Sequence, residues 1–191
     1  GNLSLASTVT DLGALSDNFG KVTYDGAAQT IVADTYYDLT AGNANTKTLG
    51  GNLVVARDLT IDAGVTLTIQ EGTIIKGSPG TGSLASALIV ARGGMINAVG
   101  TPSEPIIFTS TSDNIQPGQT AGTNLSINDR GLWGGLIILG NAPCSFSGDI
   151  IEAQIEGIPA DDSFGLYGGS DPDDSSGSLR YISIRHGGSL I

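Results

Sequence analysis

An all-β solenoid, a chain wound into stacked parallel coils, is the fold class this sequence predicts. Three observations carry it. Leu53-Val54-Val55-Ala56-Arg57 recurs as Leu88-Ile89-Val90-Ala91-Arg92, and at the same offset the match continues from Ile61-Asp62 to Ile96-Asn97. Strand-sized runs alternate apolar with Thr or polar residues, so that one side chain points into a core and the next points out. The 29 glycines and a charged fraction of only 14% suit short strands and tight corners better than helices. In a solenoid each coil buries its apolar side chains against its neighbours and cannot fold alone. A β-sandwich would share the short strands, but its strands have no reason to repeat one sequence at matching positions. Stacked coils, about 4.8 Å apart, place such strands in the same environment. The repeat therefore predicts equivalent inward positions, in stacked strands of one coil type, for Leu53 with Leu88 and for Ile61 with Ile96. At about 20–25 residues per coil, the chain would make about seven to nine coils.

Taken in order, residues 1–20 have spaced Leu and Val without strong alternation and suit an N-terminal cap, which a solenoid end needs over its apolar side chains and open strand edges. Residues 21–191 hold the coils. Val22-Thr23-Tyr24, Thr30-Ile31-Val32, Tyr36-Tyr37-Asp38-Leu39 and Thr46-Lys47-Thr48-Leu49 are split by Asp25-Gly26 and Ala41-Gly42-Asn43. Residues 53–76 form the clearest block, with Gly64 and Gly72 at corners, and residues 88–109 repeat it. Residues 77–86, 110–130 and 157–178, rich in Ser, Gly, Asp, Pro and Asn, are expected as loops projecting from corners. Further strands are expected at 132–139, 150–155 and 179–184, with the stack continuing beyond 191 in a longer protein.

The formal charge of −11 makes nucleic acid a poor partner, since that partner needs clustered Lys and Arg. No run approaches the roughly 18 apolar residues of a membrane span. Most of the acid is Asp beside Gly, Asn or Ser (Asp25, Asp62, Asp129, Asp149, Asp161, Asp162), where the side chain caps turns. Cys144 is alone, which excludes an internal disulfide framework; after an apolar strand it is expected as a buried structural thiol.

Residues 87–110 (ALIVARGGMINAVGTPSEPIIFTS), 130–143 (RGLWGGLIILGNAP) and 170–188 (SDPDDSSGSLRYISIRHGG) resemble a family of large secreted bacterial proteins. That family is built of right-handed parallel β-helix repeats and is common in Bacteroidetes, where many members carry a type IX secretion signal. The resemblance covers about residues 50–191, and its most specific part is the GLWGGLIILGNA stretch. It implies a right-handed parallel β-helix of pectin-lyase-like fold, exported to the cell surface or beyond. It supplies no catalytic residues.

Three constellations bear on chemistry. Asp171, Asp173 and Asp174, with Asp161 and Asp162 nearby in sequence, offer carboxylates in a turn. Calcium takes six to eight such oxygen ligands, so Ca2+ is the one cofactor the sequence suggests; a solvated Asp turn is the other reading. Arg180 and His186 would share a face if residues 180–186 formed one strand. With the 171–174 carboxylates they would be the ingredients for proton removal beside a carboxylate, although a general base needs placement against substrate that sequence does not supply. Trp133 and Tyr24, Tyr36, Tyr37, Tyr167 and Tyr181 would make a sugar-stacking platform only if gathered; Trp133 is equally suited to packing a corner. Thr46/Thr48, Thr66/Thr68 and Thr109/Thr111 are too unevenly spaced for a regular threonine array.

The function expected from the sequence is a secreted, non-enzymatic β-solenoid: a bacterial cell-surface adhesin, or a structural stalk or filament element. Its partners would be further coils of the same chain, another copy end to end, or extracellular polysaccharide. The alternative is a polysaccharide-active enzyme or carbohydrate-binding module on the same scaffold, because fold does not decide function.

Overall fold

The computed structural model describes residues 2–13, 20–148, 150–159 and 162–190. Among the described residues, eighteen β-strands and two short 3-10 turns, at Gly82–Leu84 and Ser163–Gly165, make up the regular structure. Three parallel sheets form the faces of a coil. Face A carries β1 (Leu3–Leu5), β2 (Lys21–Tyr24), β5 (Asp38–Ala41), β8 (Asp58–Ile61), β11 (Ala87–Val90) and β14 (Gly135–Ile138), stacked in that order. Face B carries β3 (Gln29–Ile31), β6 (Thr46–Leu49), β9 (Thr66–Ile69), β12 (Met95–Val99) and β17 (Gly177–Arg180). Face C carries β4 (Thr35–Tyr36), β7 (Leu53–Val55), β10 (Ile74–Gly77), β13 (Ile106–Ser110) and β18 (Ile182–Ile184). The chain visits A, B and C in turn five times, each visit one coil, with β1 laid on the first. This is an all-β parallel β-helix.

Alternation along each strand turns into ladders between coils, because parallel in-register stacking puts like positions above one another. The inward ladder of face A runs Val22, Leu39, Leu59, Leu88, Leu136. On face B Ile31, Leu49, Ile69, Ala98 and Leu179 stack. On face C Leu53, Ile75, Phe108 and Ile184 do so. All of these except Ile184 join one continuous core. Gly64 and Gly72 turn corners with φ of 76° and 73°, as their positions in the sequence suggest.

The repeat that identifies the solenoid does not mark equivalent positions. Leu53 lies on face C and Leu88 on face A, stacked on Ile75 and Leu59 respectively; Ile61 lies on face A and Ile96 on face B. All four are buried, so the shared sequence reports a shared inward environment rather than a shared face. The coil number also differs from the seven to nine expected, because connections absorb residues. On face A the step from one coil to the next lengthens steadily, from Lys21→Asp38 through Leu39→Leu59 and Leu59→Leu88 to Leu88→Leu136.

The first coil is plugged with polar groups. Tyr24 and Tyr36 join hydroxyls at 3.1 Å, and the fully buried Lys47 donates from Nζ to the carbonyl oxygens of Gly26 (3.0 Å), Ala27 (3.2 Å) and Asn43 (3.3 Å). Burial lowers the Lys47 pKa, and Asp25 opposes that shift. Gln29 Nε2 donates to the carbonyls of Leu5 and Ser7, tying the N-terminal segment down. Residues 14–19 of the expected cap, with Asp149, Asp161 and Ile191, lie outside the described residues. The fifth coil is different in kind: Ile138 and Ile184 are 39% and 47% exposed, and Leu136, Leu179 and Ile182 are only partly buried.

Candidate functional site

From β10 onward, three long connections leave the coil. Residues 78–86 and 111–134 both lead from face C to face A, and residues 139–176 lead from face A to face B of the fifth coil. The last opens well before 157 and contains the antiparallel pair β15 (Ala153–Gln154) and β16 (Leu166–Tyr167). Ile150 and Ile151, expected within a coil strand, are 54% and 63% exposed in this insertion.

The 111–134 connection folds back over the outer side of face C. Ile115 packs on Ile74 and Ile107, and Lys76 Nζ donates to the carbonyl oxygens of Asp113 and Ile115, each at 2.8 Å. Asp113 is 2% exposed; its Oδ2 accepts from Thr109 Oγ1 at 2.9 Å and its Oδ1 from the Ile115 amide at 3.0 Å. Trp133 inserts into the core, where a methyl group added at Gly77 would lie 2.9 Å from its ring, and its Nε1–H donates to the Arg185 carbonyl at 2.7 Å.

Between this connection and the end of the fifth coil lies a cavity of about 420 Å³, lined by Asp113, Ile127, Asp129, Arg130, Ile184 and His186 among others. His186 is held in the left-handed region at φ 56°, a costly conformation for a non-glycine residue that clusters at functional sites. Its Nδ1 lies 2.5 Å from the Asp129 carbonyl oxygen, which requires the proton on Nδ1 and leaves Nε2 4.0 Å from Asp113 Oδ2. Asp129 accepts from the Ser126 amide (2.7 Å) and hydroxyl (2.8 Å). Those bonds, the backbone one first, hold its carboxyl below the usual carboxylate range, and His186 adds to the effect. Arg185 reaches the Thr120 carbonyl and the Ser183 hydroxyl. Most polar groups here thus fasten the connection to the coil; the Arg130 guanidinium has no hydrogen bond or ion pair among the described residues.

The sequence-derived constellation is not assembled. Tyr181, with φ 49°, turns the corner between β17 and β18, so Arg180 and His186 belong to different faces rather than to one strand. Asp171, Asp173 and Asp174 sit in the 139–176 insertion. Asp171 Oδ1 accepts from the Asp173 amide at 3.0 Å, and Asp174 Oδ2 accepts from the Asn141 amide at 2.9 Å. No group of three His, Cys, Asp or Glu side chains suited to a metal is present among the described residues. Trp133, Tyr24 and Tyr36 are buried, which removes them from any sugar platform. Cys144 is exposed, not buried, because it falls in the insertion beyond the end of β14. Thr46 and Thr48 do stack on Thr66 and Thr68, while Thr109 is buried on another face against Asp113. Sequence reasoning missed the approach of Asp113 to His186, since the two are distant in the chain and no motif links them.

A protein-family model described as a pectate-lyase-like beta helix domain matches residues 35–191. No curated protein matches the chain, and no solved structure does.

Proposed function

The chain belongs to the pectate-lyase-like β-helix domain family, and from that premise we propose that it is a secreted, non-enzymatic β-solenoid of a bacterial cell surface, acting as an adhesin or as a stalk or filament element. The observation that carries this reading is the fifth coil. Among the described residues, strands β14, β17 and β18 are each paired along one edge only, and inward-ladder residues Ile138 and Ile184 stand half-exposed there. Free strand edges beside buried-type side chains favour continuation of the stack, by further coils or by another copy end to end, and a contact that does not close repeats into a filament. The proposal includes a source among the Bacteroidetes and export by the type IX route, on the resemblance of residues 87–110, 130–143 and 170–188.

Light scattering after size exclusion, with electron microscopy over a concentration series, tests the reading. Rods longer than one copy are expected, and a monodisperse monomer at every concentration overturns end-to-end assembly.

The groove beside His186 favours a second reading, a carbohydrate-binding or polysaccharide-active module. Unpaired Arg130, exposed Ile127 and the strained His186 face one space large enough for a small-molecule ligand. Saturable binding of an acidic oligosaccharide, lost in Arg130→Ala, would move the assignment there. In either reading Asp171, Asp173 and Asp174 would be the residues to hold calcium.

A further inference from the structure

The outer side of face A carries a second site, unrelated to the groove. The 139–176 insertion folds across it, and Ile155, Ile158, Phe164 and Tyr167 pack on Ala87, Ile89, Ile137 and Leu139 to make a small apolar cluster separate from the main core. At the margin of this cluster is a cavity of about 140 Å³, whose floor includes Ala87, Ile89, Ile158 and Phe164. Its charged lining consists of Lys21, Arg57, Asp58 and Asp162.

The bonding of those charges is uneven. Arg57 is committed to Asp38, donating from Nε at 2.7 Å and from Nη2 to the other carboxylate oxygen. Asp58 Oδ1 accepts from the Ala87 amide at 3.2 Å, but the nearest cation to Oδ2 is Arg57 Nε at 3.7 Å, whose proton already points to Asp38. Neither Lys21 Nζ nor the Asp162 carboxylate makes a hydrogen bond or ion pair among the described residues; Lys21 acts on Asp62 only through space. The pocket therefore presents half-buried charges of both signs around an apolar floor, and Lys21 and Asp162 are not paired among the described residues. Its volume is well below the roughly 300 Å³ at which drug-sized sites begin, which suits a small ligand better than an oligosaccharide.

We propose that this pocket binds a small zwitterion, a free α-amino acid with an apolar side chain, its ammonium directed to Asp58 and Asp162, its carboxylate to Lys21 and its side chain to Ile89, Ile158 and Phe164. Charged hydrogen bonds to Lys21, Asp58 and Asp162 would then hold the two ends of the ligand, and apolar burial adds to them. The Asp58 carboxyl is consistent with the missing donor: burial, the largest cause, pushes its pKa up to about 6, against the lowering effects of Arg57 and the Ala87 amide. The charged groups around it are Asp38, Arg57, Lys21 and Asp162, with Asp62 further along face A.

Titration calorimetry and ligand-observed NMR with L-leucine test the proposal, with isoamylamine, its analogue lacking the carboxylate, as the second probe. Saturable leucine binding at about pH 7.5 is expected, weakened at least about tenfold by Asp58→Asn. Lys21→Met should weaken leucine and leave isoamylamine unchanged. Lowering the pH to about 5 should weaken leucine about tenfold in the wild-type protein and not in Asp58→Asn, because only about a tenth of Asp58 then stays ionised. Melting curves confirm that each variant is folded. Absence of saturable leucine binding at millimolar concentration overturns the proposal, as does binding that Asp58→Asn leaves intact. These outcomes do not depend on whether the protein forms filaments.

Discussion

Truncating one leucine at two levels of the same ladder measures how enclosed the two levels are. Leu59 is 1% exposed and lies between Leu39 and Leu88 on face A. Leu136 occupies the same ladder two coils later, but it stacks on Leu88 alone and is only partly buried. A buried Leu→Ala change costs about 2.7–5 kcal/mol, the transfer term plus the cavity left behind. Because neighbours on both sides hold the cavity open, Leu59→Ala should cost about 3.5 kcal/mol. At Leu136 one side of the cavity opens toward solvent and part of the side chain is already wet, so about half that cost, roughly 1.5–2 kcal/mol, is expected. For a chain of this size about 2–4 °C of melting temperature accompanies each kcal/mol. Leu59→Ala should then melt about 7–14 °C lower and Leu136→Ala about 3–8 °C lower. Urea titration followed by circular dichroism, at low protein concentration, gives the two free energies. A solenoid unfolds as a chain of neighbouring units, so coincident transitions by a second probe are needed before the values are compared. Equal costs at the two sites would refute the reasoning, because they would mean the fifth coil is as enclosed as the third.

Three further outcomes follow from the charges. Asp58, raised to about 6 in the fold, binds its proton more tightly there than in the unfolded chain, so its contribution to stability falls as pH rises from about 4 to about 6. Asp58→Asn should therefore stabilise the protein by about 3 kcal/mol at pH 7.5 and by only about 0.5 kcal/mol near pH 4, and a pH-independent change in melting temperature would contradict the assignment. Asp113→Ala strands the Thr109 hydroxyl and the Ile115 amide, at about 2–3 kcal/mol locally. Hydrogen exchange should rise across 111–134 and stay unchanged in the first three coils, and an unaltered pattern would show that Asp113 does not anchor the connection. If Asp171, Asp173 and Asp174 hold calcium, a chelator should lower the melting temperature and added calcium should restore it; identical curves would leave a solvated turn.

The fold was legible because the rule behind it is local: alternation along a strand, glycine at a corner, and one environment repeated. That rule says which side chains point inward, and Leu53, Leu88, Ile61 and Ile96 are all buried. It does not say on which face, because the interiors of all three faces accept the same aliphatic residues. Coil number was lost for a related reason. An insertion of any length can leave a corner provided its ends return to the same place, and residues 139–176 do so while contributing, among the described residues, one short antiparallel strand pair and one 3-10 turn to local pattern. The candidate sites were the least legible part. Asp113 meets His186, and Asp58 shares a cavity with Asp162, only because stacking brings distant corners together. Asp171 to Asp174 were conspicuous as a run, yet such a run also serves to hold its own turn through Asp171 and Asp174.

The widening intervals between stacked residues set an order of assembly. On face A, closing a coil onto its predecessor spans Lys21 to Asp38 at the first step and Leu88 to Leu136 at the last, a connection nearly three times as long. Loop-closure entropy grows as about 1.5RT ln n, so the last closure is disfavoured by roughly 0.9 kcal/mol relative to the first from length alone. The difference is larger on face B, where the whole 139–176 insertion and the 111–134 connection both lie between Ala98 and its partner Leu179. Contacts close in sequence form fastest, so the first three coils form an early nucleus and the fifth coil docks onto a template already in place. Winding would proceed from the N-terminal side, the order in which the chain leaves a ribosome or an export pore. In pulse-labelling exchange during refolding, amides of β5 and β8 should be protected before those of β17 and β18, and Leu59→Ala should slow folding where Leu136→Ala mainly speeds unfolding. Simultaneous protection of all five coils would argue against directional winding.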